Sequence, residues 1–209
     1  MLPRASCRKC ERVTGRDEQL LLRGALYGSR LRLGLRTRNP RDKPKDLPLF
    51  NDAGRKISIP VSSYVYVLYL VTFTEPGVLI GKKTEVNGAW VARNEPDKPL
   101  DLPPGDWTLP ALNVVALTRM LAKIAYSYAV AELGRHGFFD LISHRIVDPN
   151  DEIRDLVGGF QIKETSSEIL HQVYIAPRSA EHNYIVVAVR LFAFLNSPTY
   201  QIVVGSYLD

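Results

Sequence analysis

The chain reads as an α+β protein in which a mostly antiparallel sheet packs on one long central helix, preceded by a small basic helical segment. Three observations predict this: unbroken helical periodicity over residues 108–135, β-branched and aromatic runs at 57–73 and through the last forty residues, and a basic first quarter set off by a Pro-rich charged tract.

The elements follow in order. In RVTGRDEQLLLRG, Asp17 and Glu18 precede the Leu20-Leu21-Leu22 run and Gly24 closes it, so one helix is expected, starting near Cys7 and Cys10 or near Thr14. Arg30, Leu31, Arg32 and Leu33 alternate like an amphipathic strand, with Gly28 and Gly34 weakening any regular element. RNPRDKPKDLPLFNDAGRK reads as a Pro-rich linker, placing a boundary between a segment 1–56 and an α+β domain 57–209. Residues 57–73 then read as one strand, Pro60 limiting its start and Tyr64, Tyr66 and Leu68 sharing a face. Glu75-Pro76-Gly77 is a turn signal, Trp90 lies on a short strand, and Pro103-Pro104-Gly105 forces a loop before the long helix.

That helix is expected to run from a cap at Thr108 to a stop at Gly134 and Arg135. Its polar residues Asn113, Arg119, Lys123 and Ser127 cover about a third of the circumference, and so wide an apolar face must be covered on more than one side. Arg119 and Lys123 near its middle argue against a membrane span. After it, residues 137–159 read as a short helical piece plus a loop, with Gly158-Gly159 a turn. The chain ends in strands at 170–175, 184–195 and 200–207, the second apolar but for Arg190 and therefore interior.

Composition narrows the function. The net charge of +5 conceals an asymmetry: residues 1–56 hold 15 Lys/Arg against 6 Asp/Glu, and residues 57–209 hold 12 against 16. A basic quarter of this kind is a footprint for phosphates, with Arg8, Lys9, Arg12, Arg30, Arg32, Arg36 and Arg38 as candidate nucleic-acid contacts; a solvated basic arm is the equal alternative. The N-terminal stretch lacks the apolar core of a signal peptide, and the two cysteines point to a reducing, cytoplasmic compartment.

Cys7 and Cys10 form a C-x-x-C, the spacing that lets two thiolates reach one tetrahedral metal. A structural zinc site needs four ligands, and His136, His144, His171 and His182 lie far away without ligand spacing. No βαβ pattern supports a thioredoxin-like pair, so half a zinc site is the favoured reading. Asp140, His144, Asp148, Asp151 and Asp155 read as a solvated acidic turn. Arg119 and Lys123 read either as a phosphate-binding pair or as cations that snorkel or pair with carboxylates, and Tyr64, Tyr66 and Tyr69 as packing rather than base-stacking residues.

The run LPRASCRKCERVTGRDEQLLLRG, with the Arg-rich stretch after it, resembles the second half of the zinc-bearing module of a bacterial group of HNH endonuclease-like proteins. Leu2, Pro3, Ala5, Ser6, Cys7 and Cys10 match the segment that supplies two of that family's zinc ligands, and Glu18, Arg23 and Gly24 its continuation. RMLAKIAYSYAVAELGRHGF and Gly77–Gly81 extend the resemblance. It implies an HNH-type endonuclease homologue that binds DNA through the basic segment, with zinc held in part by Cys7 and Cys10. The family's first C-x-x-C and its acidic-His-x-x-Pro segment would lie before Met1. A catalytic divalent metal is implied only where that segment exists, and no catalytic residue is assigned in this chain. The alternative is a non-catalytic interaction or small-ligand-binding α+β module. Two chains sharing a zinc ion through Cys7 and Cys10 would make a homo-oligomer; no membrane partner is expected.

Overall fold

The structure is a computed structural model; it describes residues 7–35, 44–51, 53–64, 67–93, 106–108, 110–160 and 168–208. In chain order the elements are α1 (Arg8–Arg23), α2 (Tyr27–Arg32), β1 (Asp46–Asn51), β2 (Lys56–Pro60), β3 (Val67–Phe73), α3 (Gly77–Ile80), β4 (Val86–Arg93), β5 (Trp107–Thr108), α4 (Val114–Leu133), β6 (Phe138–Asp140), α5 (Ser143–Val147), β7 (Val157–Phe160), β8 (His171–Ile175), β9 (Tyr184–Leu191) and β10 (Thr199–Tyr207). The protein is α+β, with the long helix α4 packed against strands. Two compact units are built from discontinuous segments: Met1–Glu18, Leu70–Trp90 and Val114–Asp209 form one, Gln19–Tyr69 and Val91–Asn113 the other. The sequence reading had instead set a single boundary at residue 56.

The larger unit is organised on β10. Along one edge β10 pairs antiparallel with β9, which pairs with β8; along the other its first half pairs with β7 and its last residues with β6. As its apolar run predicts, β9 is interior, with every residue from Ile185 to Leu191 buried. The expected strand 184–195 ends at Leu191, because Phe192 takes a left-handed conformation (φ 59°) and a 3-10 turn follows at Ala193–Leu195. Gly158 and Gly159, expected in a turn, lie within β7 opposite Gln201 and Tyr200. A side chain at Gly158 would stand 2.3 Å from the Pro76 nitrogen, so only glycine lets this strand pass.

α4 lies against β9 and β10. Thr118, Ala122, Ala125 and Ala129 are buried at spacings of four, three and four, a stripe of small side chains that lets the helix axis approach closely. Ala116 and Leu117 are also buried beside Thr118 and Arg119, so the first turns are covered nearly all round, as the wide apolar face predicts, whereas the later turns bury mainly the alanine stripe. The helix is long and apolar enough to cross a membrane by length and composition, and half of that window is buried inside the protein. It is shorter at its start than expected. Thr108 is not its cap but the end of β5, paired with Phe50 of β1, since Pro110 disfavours helical backbone just before it. The stop is where the sequence places it: Gly134 adopts φ 78° and its N–H reaches the Val130 carbonyl.

The smaller unit corrects three expectations. The tract around residue 48 is not all linker, because Asp46–Asn51 forms β1, paired antiparallel with β2 and burying Leu47 and Leu49 on one face. The run 57–73 is not one strand. Pro60 ends β2 instead of starting it, a 3-10 turn follows at Val61–Ser63, and β3 begins at Val67. Arg30–Leu33 is not a strand either: the helix α2 covers Tyr27–Arg32, with Leu26 and Ser29 buried and Gly28 against the Tyr64 ring. Tyr64 is itself buried, which raises its phenol above the ordinary range.

The two stretches of β3 and β10 that belong to the larger unit are joined by Tyr200, whose fully buried hydroxyl donates to the Val71 carbonyl at 2.8 Å and whose ring lies 6.0 Å from that of Phe73. Tyr200→Phe keeps the ring but strands a buried carbonyl. Urea unfolding should show a loss of about 1–2 kcal/mol, and no loss would mean that this hydrogen bond contributes nothing to the fold.

Candidate functional site: the start of helix α1

Cys7 immediately precedes α1 and Cys10 lies in its first turn. The Cys10 N–H donates to Cys7 Sγ at 3.3 Å, and the two sulfurs are 3.2 Å apart. Hydrogen bonds from the Cys10 backbone and then from the Cys10 thiol, with Lys9 adding a smaller attraction, lower the Cys7 thiol below its ordinary range; the same thiol–thiol bond, with burial, raises Cys10. Cys7 is exposed and Cys10 half-buried.

These thiols fit two positions of a tetrahedral zinc site. Among the described residues no three His, Cys, Asp or Glu side chains are grouped as a metal site requires, so the other two ligands are not supplied there. Three of the four histidines have other contacts. His171 Nδ1 accepts from the Phe192 N–H at 3.1 Å, His182 Nδ1 accepts from the Tyr184 N–H at 3.3 Å, and His144 Nε2 lies 3.6 Å from Asp151.

On α1, Arg8, Lys9 and Arg12 are exposed, and so is Arg16, which the sequence reading did not single out. At about 100° per residue these four fall within about 100° of the helix circumference, an arc that excludes Glu11 and Asp17. None of the four forms an ion pair among the described residues. The signal for Arg16 was the i, i+4, i+8 spacing of arginines at 8, 12 and 16.

The opposite side of α1 is fixed. Thr14 is buried and accepts from Lys123 Nζ of α4 at 3.0 Å, and the same ammonium pairs with Glu18. Lys123 therefore pairs with a carboxylate. Arg119, one turn earlier, is 4% exposed and donates to the carbonyls of Arg145, Ile146 and Asp151. Burial raises the neighbouring Asp17 carboxyl against the opposing pull of Arg119.

The remaining candidate contacts are not gathered at this face. Arg30 belongs to the smaller unit and donates to the Leu22 carbonyl at 3.1 Å. Arg32 lies in α2, and Arg36 and Arg38 lie outside the described residues, as does Tyr66. Elsewhere in the larger unit an open depression of about 480 Å³ is lined by Lys82, Lys83, Arg145, Asp155 and Tyr184. Asp155, which lines it, accepts from the Thr84 N–H in a long-range contact, and Asp148 accepts from the Asn150 N–H within a turn.

Comparison with family models, with curated proteins and with solved structures yields no match.

Two outcomes follow. Lys123→Met leaves Glu18 and Thr14 without their cation. Because the pair is about one-third exposed, the loss should be no more than about 1 kcal/mol, and a double-mutant cycle with Glu18→Gln in urea unfolding would read the coupling; zero coupling would show that this pair does not hold α1. Burial opposes ionisation of Asp140, but hydrogen bonds from Ser143, Ile142 and Tyr126 outweigh it and hold its carboxyl below the ordinary range. A depressed carboxylate stabilises the fold above its unfolded pKa, and that stability is lost as pH falls through the folded value. The stability of the protein relative to Asp140→Ala should therefore be full above about pH 4 and shrink on further acidification, and a pH-independent difference would contradict this.

Proposed function

We propose that this chain is a DNA-binding protein of the HNH endonuclease-like kind that contacts the phosphate backbone through the basic face of α1. The observation that carries the reading is the set Arg8, Lys9, Arg12 and Arg16, four exposed cations on one side of a helix whose other side is tied to α4. Among the described residues none of the four has an ion-pair partner, and phosphate supplies one, with counterion release as the driving term. The contact is to backbone rather than base edges, so affinity varies little with sequence. The local resemblance around Cys7 and Cys10 supports the family reading. The reading concerns binding and assigns no catalytic residue in this chain.

Fluorescence anisotropy with a short labelled DNA duplex at low and physiological salt tests this. Four phosphate contacts give a slope of log affinity against log salt of about −3 to −4, and Arg12→Gln should reduce its magnitude by about one. Absence of binding at low salt, or binding indifferent to salt, would overturn the proposal. An unchanged slope in Arg12→Gln with a reduced one in Lys82→Gln would move the contact to the depression beside α3 and favour the alternative of a small-ligand-binding α+β module.

A further inference from the structure

We propose that Cys7 and Cys10 are a redox-active dithiol, oxidised by small-molecule disulfides such as glutathione disulfide to an intramolecular disulfide. The geometry points to it in four ways. The sulfurs already face each other at 3.2 Å. Residues three apart on a helical turn have β-carbons about 5–6 Å apart, slightly wider than the roughly 3.5–4.5 Å of a disulfide. Cys7 precedes the first helical residue, so its backbone can turn to close that difference without unwinding α1. Third, Cys7 is open to solvent while Cys10 is half-buried behind it, an arrangement of attacking and resolving thiols. Arg8 and Lys9 follow Cys7 directly in the chain, are exposed, and supply positive charge that attracts an anionic disulfide. Finally, the described residues bring no third or fourth ligand to the pair, so a thiol partner is the chemistry they can complete unaided.

The exchange balances in two steps. The Cys7 thiolate attacks one sulfur of glutathione disulfide, forming a mixed disulfide and expelling one glutathione thiolate. The Cys10 thiolate, its proton passed to water, then attacks the Cys7 sulfur and expels the second. The protein loses two protons and two electrons, and one glutathione disulfide becomes two glutathione molecules. The product clips the first turn of α1 next to its basic face.

The sequence contains two cysteines and no others, which makes the readout unambiguous. The purified full chain is incubated with oxidised glutathione in excess and examined by intact mass with and without iodoacetamide. The expected product has lost two hydrogens, takes up no iodoacetamide, keeps the mass of a single chain, and regains both thiols with dithiothreitol. Cys10→Ser should accumulate one glutathione per chain at Cys7, and Cys7→Ser should acquire it about ten-fold more slowly, because its remaining thiol is half-buried. The proposal is overturned by a wild-type product with two glutathiones, by a disulfide-linked dimer, or by two thiols that stay free. Thiols that react only after a chelator strips zinc from the protein would overturn it in favour of a metal shared between chains.

Discussion

A guanidinium buried in the middle of an apolar helix constrains much of the larger unit. Arg119 sits on α4 at 4% exposure, where an unsatisfied charge would cost several kcal/mol. Its side chain is accommodated because three carbonyls, of Arg145, Ile146 and Asp151, converge on it. That requirement places α5 and the following turn against α4, and with them the residues that line the open depression. One turn along the helix, Lys123 makes the corresponding demand on α1, met by Thr14 and Glu18. At about 100° per residue the two cations lie on one flank of α4, roughly a quarter-turn or more from the alanine stripe that meets the sheet. The apolar stripe fixes helix to sheet. The polar flank selects which other segments pack beside it.

Long elements were legible because many residues vote on them. The interior strand β9 announced itself by an apolar run with a single arginine, and α4 by periodicity and by the glycine that ends it. Arg190, the interruption in β9, is buried and donates to the Ser197 carbonyl, so the turn after the strand solves the problem that the sequence posed. Short elements were not legible. Four alternating residues at Arg30–Leu33 fit a strand as well as a helical turn, and burial of Leu26 and Ser29 decided for the helix. At β1 the prolines and charges that signal a linker occupy the exposed positions of a strand whose Leu47 and Leu49 face inward. Pro48 is compatible with pairing because β5 reaches only Phe50 and Asn51, which leaves one edge of β1 without a paired strand beside Pro48 among the described residues.

For the candidate site, residue type and spacing were readable while geometry was not. The C-x-x-C could be seen in the sequence, but whether its sulfurs face one another depends on where α1 begins. A helix starting at Thr14 would have left both cysteines outside it; starting at Arg8, it stacks Cys10 beneath Cys7. The arginines were readable only as a count. The candidate contacts include Arg30, which is engaged by the Leu22 carbonyl, and leave out Arg16, which completes the face.

Net charge and binding face are therefore different quantities. Charges act together on a phosphate chain when they lie within about 10 Å, the screening length at moderate salt, and point the same way. Eight residues of helix span about 12 Å, so Arg8 and Arg16 lie near that limit, and Arg12 between them couples the two. Two of the three acidic residues of α1 are drawn away from this face: Glu18 is paired with Lys123 on the anchored side, and Asp17 lies half-buried near Arg119, whereas Glu11 is exposed and lies outside the arc. A helix that turns Asp17 and Glu18 towards the fold and Arg8, Lys9, Arg12 and Arg16 to solvent separates its anchoring residues from its exposed cations. Under the proposed reading, substituting the exposed cations alters affinity for a polyanion while the contacts of Thr14 and Glu18 that hold α1 remain untouched.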